Sequence, residues 1–163
     1  MKKSFTAAFR GVAACVRTER NFRCHLALSF YVVVSAAVTE ATRAEWIAVL
    51  VCIGAVTGAE LFNTAAEKLC DTLHPDRCEG IGRVKDMAAG GVLMLALASA
   101  VIGGLIFFNE EKLTKFFAFT SSHVVLTVLI LATLPLNIFL VFRRYGNDKK
   151  NRHDHDRRAS ERR

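Results

Sequence analysis

Apolar residues gather in four runs, and most of the charge lies between them or at the chain ends. The runs are Leu26 to Val38, Trp46 to about Leu69, Met87 to Phe108, and Val124 to Phe142. A helix needs about 20 residues to cross the hydrocarbon layer of a bilayer. The last three runs are long enough, and the first becomes so only with Cys24, His25 and the turn that follows. The pattern therefore predicts spans at about 24–39, 46–69, 87–108 and 124–142. Small residues crowd the third (Ala88, Ala89, Gly90, Gly91, Ala96, Ala98, Ala100, Gly103, Gly104), which predicts a face packed closely on other helices. Pro135 and Asn137 interrupt the fourth. Ahead of all four, residues 4–23 read as a surface helix. Phe5, Phe9, Val12 and Val16 recur at helical spacing, while Arg10, Arg17, Arg20 and Arg23 take other faces. Such a basic amphipathic stretch lies along an anionic leaflet.

Composition agrees with this pattern. The 163 residues suit one compact unit, 52% of them are hydrophobic, and the formal charge is +7. Mean hydropathy is +0.29. A soluble domain would intermix its apolar and charged residues, whereas here they are segregated. Five cysteines stand at 15, 24, 52, 70 and 78 with no CxxC pair, so reduced thiols are expected rather than a disulfide framework. The first 25 residues contain no uninterrupted apolar core with a small-residue cleavage site, so a cleaved signal peptide is not expected.

Charge fixes the expected topology. Residues 1–25 carry six Lys/Arg, the segment 68–86 carries four, and the tail after Phe142 carries nine. The intervening segments are poor in them: 39–45 has only Arg43, and 109–123 only Lys112 and Lys115. With four spans, the three basic segments fall on one side, which the positive-inside rule makes cytoplasmic. Three spans would put the basic tail outside.

Glu60 stands inside the second run, followed by Asn63, Thr64, Glu67 and Asp71. These offsets of +3, +4, +7 and +11 form one helical stripe. A carboxylate at membrane depth costs a few kcal/mol even on lenient insertion scales, roughly 3, so it signals a partner or a function. A structural hydrogen bond between helices is the plain alternative for Glu60 alone; the whole stripe favours function. It leads from the apolar layer towards a basic loop ending in Arg83, Lys85 and Asp86, where a cation and a carboxylate are suited to a phosphate and a divalent metal. No GxxxxGK[ST] loop and no protein-kinase signature set is present.

Two stretches, Glu60-Leu-Phe-Asn63-Thr-Ala-Ala-Glu67-Lys-Leu-Cys-Asp71 and Arg83-Val-Lys85-Asp86-Met-Ala-Ala-Gly-Gly-Val92, resemble the signature blocks of the small prokaryotic diacylglycerol kinase family, which includes the undecaprenol kinases. Glu19-Arg-Asn-Phe-Arg-Cys-His25 and Phe5 to Gly11 resemble its approach to the first span and its surface helix, so the likeness covers roughly 4–108. The resemblance implies an all-α integral membrane fold: a surface helix, three family spans and, in this chain, an additional fourth. It implies a homotrimer in a bacterial plasma or inner membrane, transferring the γ-phosphoryl of MgATP to a lipid alcohol. Carried over, it makes Glu60 the general base, Glu19 and Glu67 the Mg²⁺ ligands, and Asn63 an orienting group. Lys85 and Asp86 would meet the nucleotide phosphates and their metal, and Asp76, Arg77 and Cys78 would form a nucleotide-contacting loop. A His is the family's usual residue where Cys78 stands.

The division expected is a kinase part at 1–108, a loop and fourth span at 109–142, and a basic cytoplasmic tail at 143–163. His153-Asp-His155-Asp in that tail is expected to be solvated rather than metal-binding, and the tail to be drawn to anionic lipid. Cys70, His74 and Cys78 are spaced by four, but Pro75 intervenes and a fourth zinc ligand is missing. The style of the blocks leans towards undecaprenol as substrate, with diacylglycerol the alternative, and no nucleic-acid partner is expected. A proton- or ion-conducting bundle is the competing class; it would not need Glu19, Lys85 and Asp86. A silent scaffold would leave the polar stripe unexplained.

Overall fold

A computed structural model describes residues 2–73 and 79–143. Among them the backbone forms six helices: α1 (Lys2–Thr18), α2 (Arg20–Val38), α3 (Arg43–Leu73), α4 (Glu79–Phe107), α5 (Glu110–Ser122) and α6 (Val124–Arg143). Helices α2, α3, α4 and α6 are long and apolar enough to cross a membrane, which matches the four runs read from the sequence. Their apolar side chains are largely uncovered: Leu97, Leu105, Leu129 and Phe139, for example, all stay exposed. In water this would be a liability, whereas in lipid it is the expected state of a spanning helix.

The long α3 forms the centre, packed on α4 and on α2, while α6 lies against α2. Its 31 residues reach about 46 Å at 1.5 Å per residue, against roughly 30 Å of hydrocarbon. It is therefore longer than that layer is thick, and its charged last turns, Glu67 to Asp71, suit the polar side while the apolar residues before Glu60 suit the layer. The start of α3 is fixed by a capping box. The amide of Thr42 donates to Glu45 Oε2 (2.7 Å), and the amide of Glu45 donates to Thr42 Oγ1 (3.3 Å). At the preceding turn, α2 closes with Glu40 at φ 53°. The amides of Ala41 and Glu40 donate back to the carbonyls of Ala36 (2.8 Å) and Ala37 (3.2 Å), the Schellman pattern that satisfies the last carbonyls of a helix.

Several boundaries differ from the sequence expectation: α3 runs from Arg43 to Leu73 and α4 opens at Glu79, so much of the segment 68–86 expected as a loop is helix. The surface helix ends at Thr18 rather than 23, and Arg20 to Arg23 open the first spanning helix. The reason is Arg23, which is buried because backbone carbonyls receive its guanidinium; the cation's hydrogen bonds let it enter a helix that periodicity alone would start later. Part of the segment 109–123, also expected as a loop, is helix α5. Asn109 caps it by accepting from the amide of Lys112 (3.0 Å), and Glu110 and Glu111 occupy the first turn, where negative charge suits the helix dipole. On α1, Phe5 and Phe9 are exposed and Cys15 is buried. The uncovered aromatic face is the one a lipid interface would take up.

Candidate active site

Glu19 and the C-terminal turns of α3 meet at the end of the bundle that also carries α1, the basic end. Glu19 is a single extended residue (φ −102°, ψ 119°) between α1 and α2, and it caps no helix with its side chain. Thr18 Oγ1 donates to Glu19 Oε1 (3.0 Å). From α3, Lys68 Nζ reaches Thr18 Oγ1 (3.3 Å) and lies 3.7 Å from Glu19 Oε1. Lys68 is half exposed, so this ion pair stabilises little. Its value is geometric, since it marks Glu19 and α3 as neighbours.

Along α3 the predicted stripe is real and graded. Glu60, Asn63 and Thr64 are buried, Glu67 is half-buried, and Asp71 is exposed. Glu60 is 3% exposed, and among the described residues none is hydrogen-bonded to it. Glu67 lies two turns further along the same stripe, and the following residue, Lys68, reaches Glu19. Glu19 and Glu67 thus stand at the same end of the bundle. Like charges so arranged repel, and a divalent cation between Glu19 and Glu67 would relieve that repulsion. Asn63 Nδ2 donates to Glu67 Oε1 (3.1 Å), which fixes the Glu67 carboxylate and leaves its other oxygen free of Asn63. Asn63 Oδ1 is buried with no partner among the described residues.

Among the described residues no three His, Cys, Asp or Glu side chains converge tightly enough to enclose an ion. Magnesium does not require such a cage. It is commonly held by one or two carboxylates, with substrate phosphates and waters completing an octahedron. The hard oxygen donors Glu19 and Glu67 fit that requirement.

From α4, Lys85 pairs with Asp71 of α3 through Nζ and Oδ1. The sequence reading gave Lys85 to nucleotide phosphates; in this structure Asp71 holds it, at the rim of the same end. Asp86 is exposed and forms no ion pair among the described residues, and Arg83 is bonded to Glu79 within α4. Asp76, Arg77 and Cys78 lie outside the described residues, as do His74 of the weighed zinc set and the tail beyond Arg143. Sequence reasoning missed Lys68, Thr18 and the pairing role of Asp71. The signal for Lys68 was its position beside Glu67, in the charged last turns of α3. Between α2, α3 and α4, on the other side of Glu60 from Asp71, lies an apolar cavity of about 370 Å³ lined by residues including Val32, Val56, Ala96 and Gly103.

A buried carboxyl inside a spanning helix, two further carboxylates towards the same end of the bundle and a lysine at the rim are what this geometry brings together. A family model for prokaryotic diacylglycerol kinase matches residues 6–107. The chain belongs to the prokaryotic diacylglycerol kinase family. It is 38% identical over 105 residues to an undecaprenol kinase of Bacillus subtilis (strain 168), across 64% of this chain and 85% of that one. It is 34% identical over 106 residues to a diacylglycerol kinase of Synechocystis sp. (strain ATCC 27184 / PCC 6803 / Kazusa), across 63% and 59% respectively. A diacylglycerol kinase of Haemophilus influenzae (strain ATCC 51907 / DSM 11121 / KW20 / Rd) is 28% identical over 102 residues, across 62% of this chain and 86% of that one. No solved structure matches the chain. This family member is therefore a lipid kinase of the bacterial membrane with ATP as phosphate donor, and the ion-conducting alternative is set aside. All of α5 and all of α6 lie beyond the family match.

Proposed function

We propose that this lipid kinase phosphorylates undecaprenol, with Glu60 as general base and Glu19 and Glu67 as Mg²⁺ ligands. The observation that carries the site is the buried Glu60 on one α3 stripe with Asn63 and Glu67, whose polar end meets Glu19 through Lys68. The 38% identity to an undecaprenol kinase supports the choice of lipid, and diacylglycerol, named for two other relatives, is the alternative.

Phosphoryl transfer needs positioning and charge neutralisation more than covalent chemistry from the protein. The apolar cavity beside Val56 suits part of a lipid chain and would bring the alcohol to Glu60. There the carboxylate takes the hydroxyl proton as the oxygen attacks the γ-phosphorus, and the bond to the bridging β,γ-oxygen breaks so that ADP leaves with its electron pair. Asn63 holds Glu67 in place and offers its unpaired Oδ1 to the substrate hydroxyl. Magnesium bound by Glu19 and Glu67 would neutralise the phosphate charge. Lys85, released from Asp71, would meet the nucleotide phosphates together with Asp86, and Asp76, Arg77 and Cys78 would line the nucleotide. The Lys/Arg bias supports a cytoplasmic side for both termini. Residues 1–108 would then form the kinase part, with 109–142 and the basic tail appended, and the family resemblance supports a homotrimer.

Purified protein in detergent, given labelled MgATP and either undecaprenol or diacylglycerol, should phosphorylate undecaprenol faster. Preference for diacylglycerol would reverse the substrate assignment. Glu60→Gln should insert and assemble normally yet lose lipid phosphorylation; near-normal turnover would sink the base assignment.

A further inference from the structure

Arg23 sits where three helices meet. Its Nη1 donates to the carbonyls of Val16 (3.1 Å) and Arg17 (3.3 Å), and its Nη2 to the carbonyl of Val141 (3.2 Å). The first two carbonyls belong to the last turn of α1, and the third to the last turn of α6. Helix geometry leaves such carbonyls without an amide partner, and it concentrates partial negative charge there. One planar guanidinium answers two helix ends at once, which the point charge of a lysine cannot do in the same geometry.

A second contact deeper in the bundle holds α6 in register. Tyr31 Oη pairs with Thr133 Oγ1 (2.8 Å) and accepts from Asn137 Nδ2 (2.9 Å). Eight residues separate Arg23 from Tyr31, and eight separate Thr133 from Val141, so each pair of contacts is about 12 Å apart along its helix. The helices run antiparallel, so the inner cluster sets the height at which Val141 presents its carbonyl to Arg23. Arg20 adds a third tie, its guanidinium 5.9 Å from the centre of the Phe142 ring.

What Arg23 spans is the break at Glu19. A single extended residue between two helices has its side-chain direction set by the angle between them. Arg23, on α2, grips the end of α1 on the other side of that break and is itself held by α6. We propose that the fourth span aims Glu19 through Arg23, making Arg23 a positioning residue for the kinase site. The inference rests on the reading of Glu19 as a magnesium ligand. It gives a working role to a helix that lies outside the family match.

Two full-length variants test it without touching the carboxylates. Arg23→Ala removes the joint, and Thr133→Val/Asn137→Leu frees α6 from its register while leaving Arg23 in place. Arg23→Ala should raise the Mg²⁺ concentration for half-maximal velocity about tenfold, the scale of losing a group that orients a metal ligand. The double variant should shift it several-fold in the same direction, with the KM for lipid unchanged in both. Hydrogen exchange of the backbone at 15–23 should quicken in both. Combining the two should add nothing to Arg23→Ala, because they act through one joint, and Arg23→Lys should not restore the wild-type requirement. Additive effects, or full rescue by lysine, would overturn the proposal. Glu19→Gln separates the two readings. An unchanged magnesium requirement there removes the ligand role of Glu19. A raised requirement there, with a double variant indistinguishable from wild type, keeps that role and overturns the coupling.

Discussion

Lys112 offers a test of how the end of the bundle opposite the active site is held. It is buried in α5, where its Nζ donates to Glu45 Oε2 (2.8 Å) and to the carbonyls of Thr39 (3.3 Å) and Glu40 (3.4 Å). One ammonium thus ties α5 to the turn between α2 and α3. Lys112→Met keeps most of the volume and removes every donor. A hydrogen bond to a charged partner contributes about 1.5–3 kcal/mol, and the two longer bonds add less. Breaking a buried pair from one side costs about 3–5 kcal/mol. Glu45 keeps 23% of its side-chain exposure, so water takes over part of the loss, and about 3 kcal/mol is expected. The pair also depresses Glu45, just outside the apolar run that begins at Trp46, to a pKa of about 2, chiefly through the hydrogen bond from Lys112. A lowered folded-state value means stability that is full above the unfolded carboxylate range and lost as pH falls towards the folded value. The gap between wild type and Lys112→Met should therefore be widest above about pH 4.5 and narrow as pH drops towards 2. Reversible unfolding in mixed micelles, followed by circular dichroism at several pH values, measures both. Lys115→Ala is the control, because its partners Glu40 and Glu111 are exposed and such pairs contribute about 1 kcal/mol or less. Equal losses in the two variants, or a gap that does not change with pH, would refute the argument. Kinase turnover at neutral pH should survive Lys112→Met, since Glu45 and Glu60 are about 22 Å apart along α3.

Two further outcomes concern the site. Glu67→Gln should raise the Mg²⁺ requirement by about tenfold or more while leaving the KM for lipid alcohol unchanged, read from initial rates at fixed ATP across a magnesium titration. Lys85→Met should raise the KM for MgATP and spare the KM for lipid; an effect on lipid alone in steady-state kinetics would remove Lys85 from the nucleotide site.

The spans, the amphipathic α1 and the family were legible in the chain itself. Hydrophobic transfer energy is local and additive, so a run of apolar residues declares a span whatever its neighbours are. Glu60 was legible for the same reason, since one costly carboxyl in an apolar run needs no tertiary information to stand out. The cap Asn109 with Glu110 and Glu111 was also there to be read as a helix start, though the short α5 was hidden within a polar connection. The contacts that join helices were not legible. Lys68 meets Glu19, Lys85 meets Asp71, Lys112 meets Glu45, and Arg23 meets Val141, a pair 118 residues apart. Periodicity assigns a residue to a face but does not say which helix that face will meet. By sequence, Arg23 and Lys112 are charges that report topology; in the folded protein both are buried joints. Only the packing of α6 on α2 and of α5 on the α2–α3 turn brings carbonyl oxygens within reach of those cations, and burial of a charge is decided by that supply of partners.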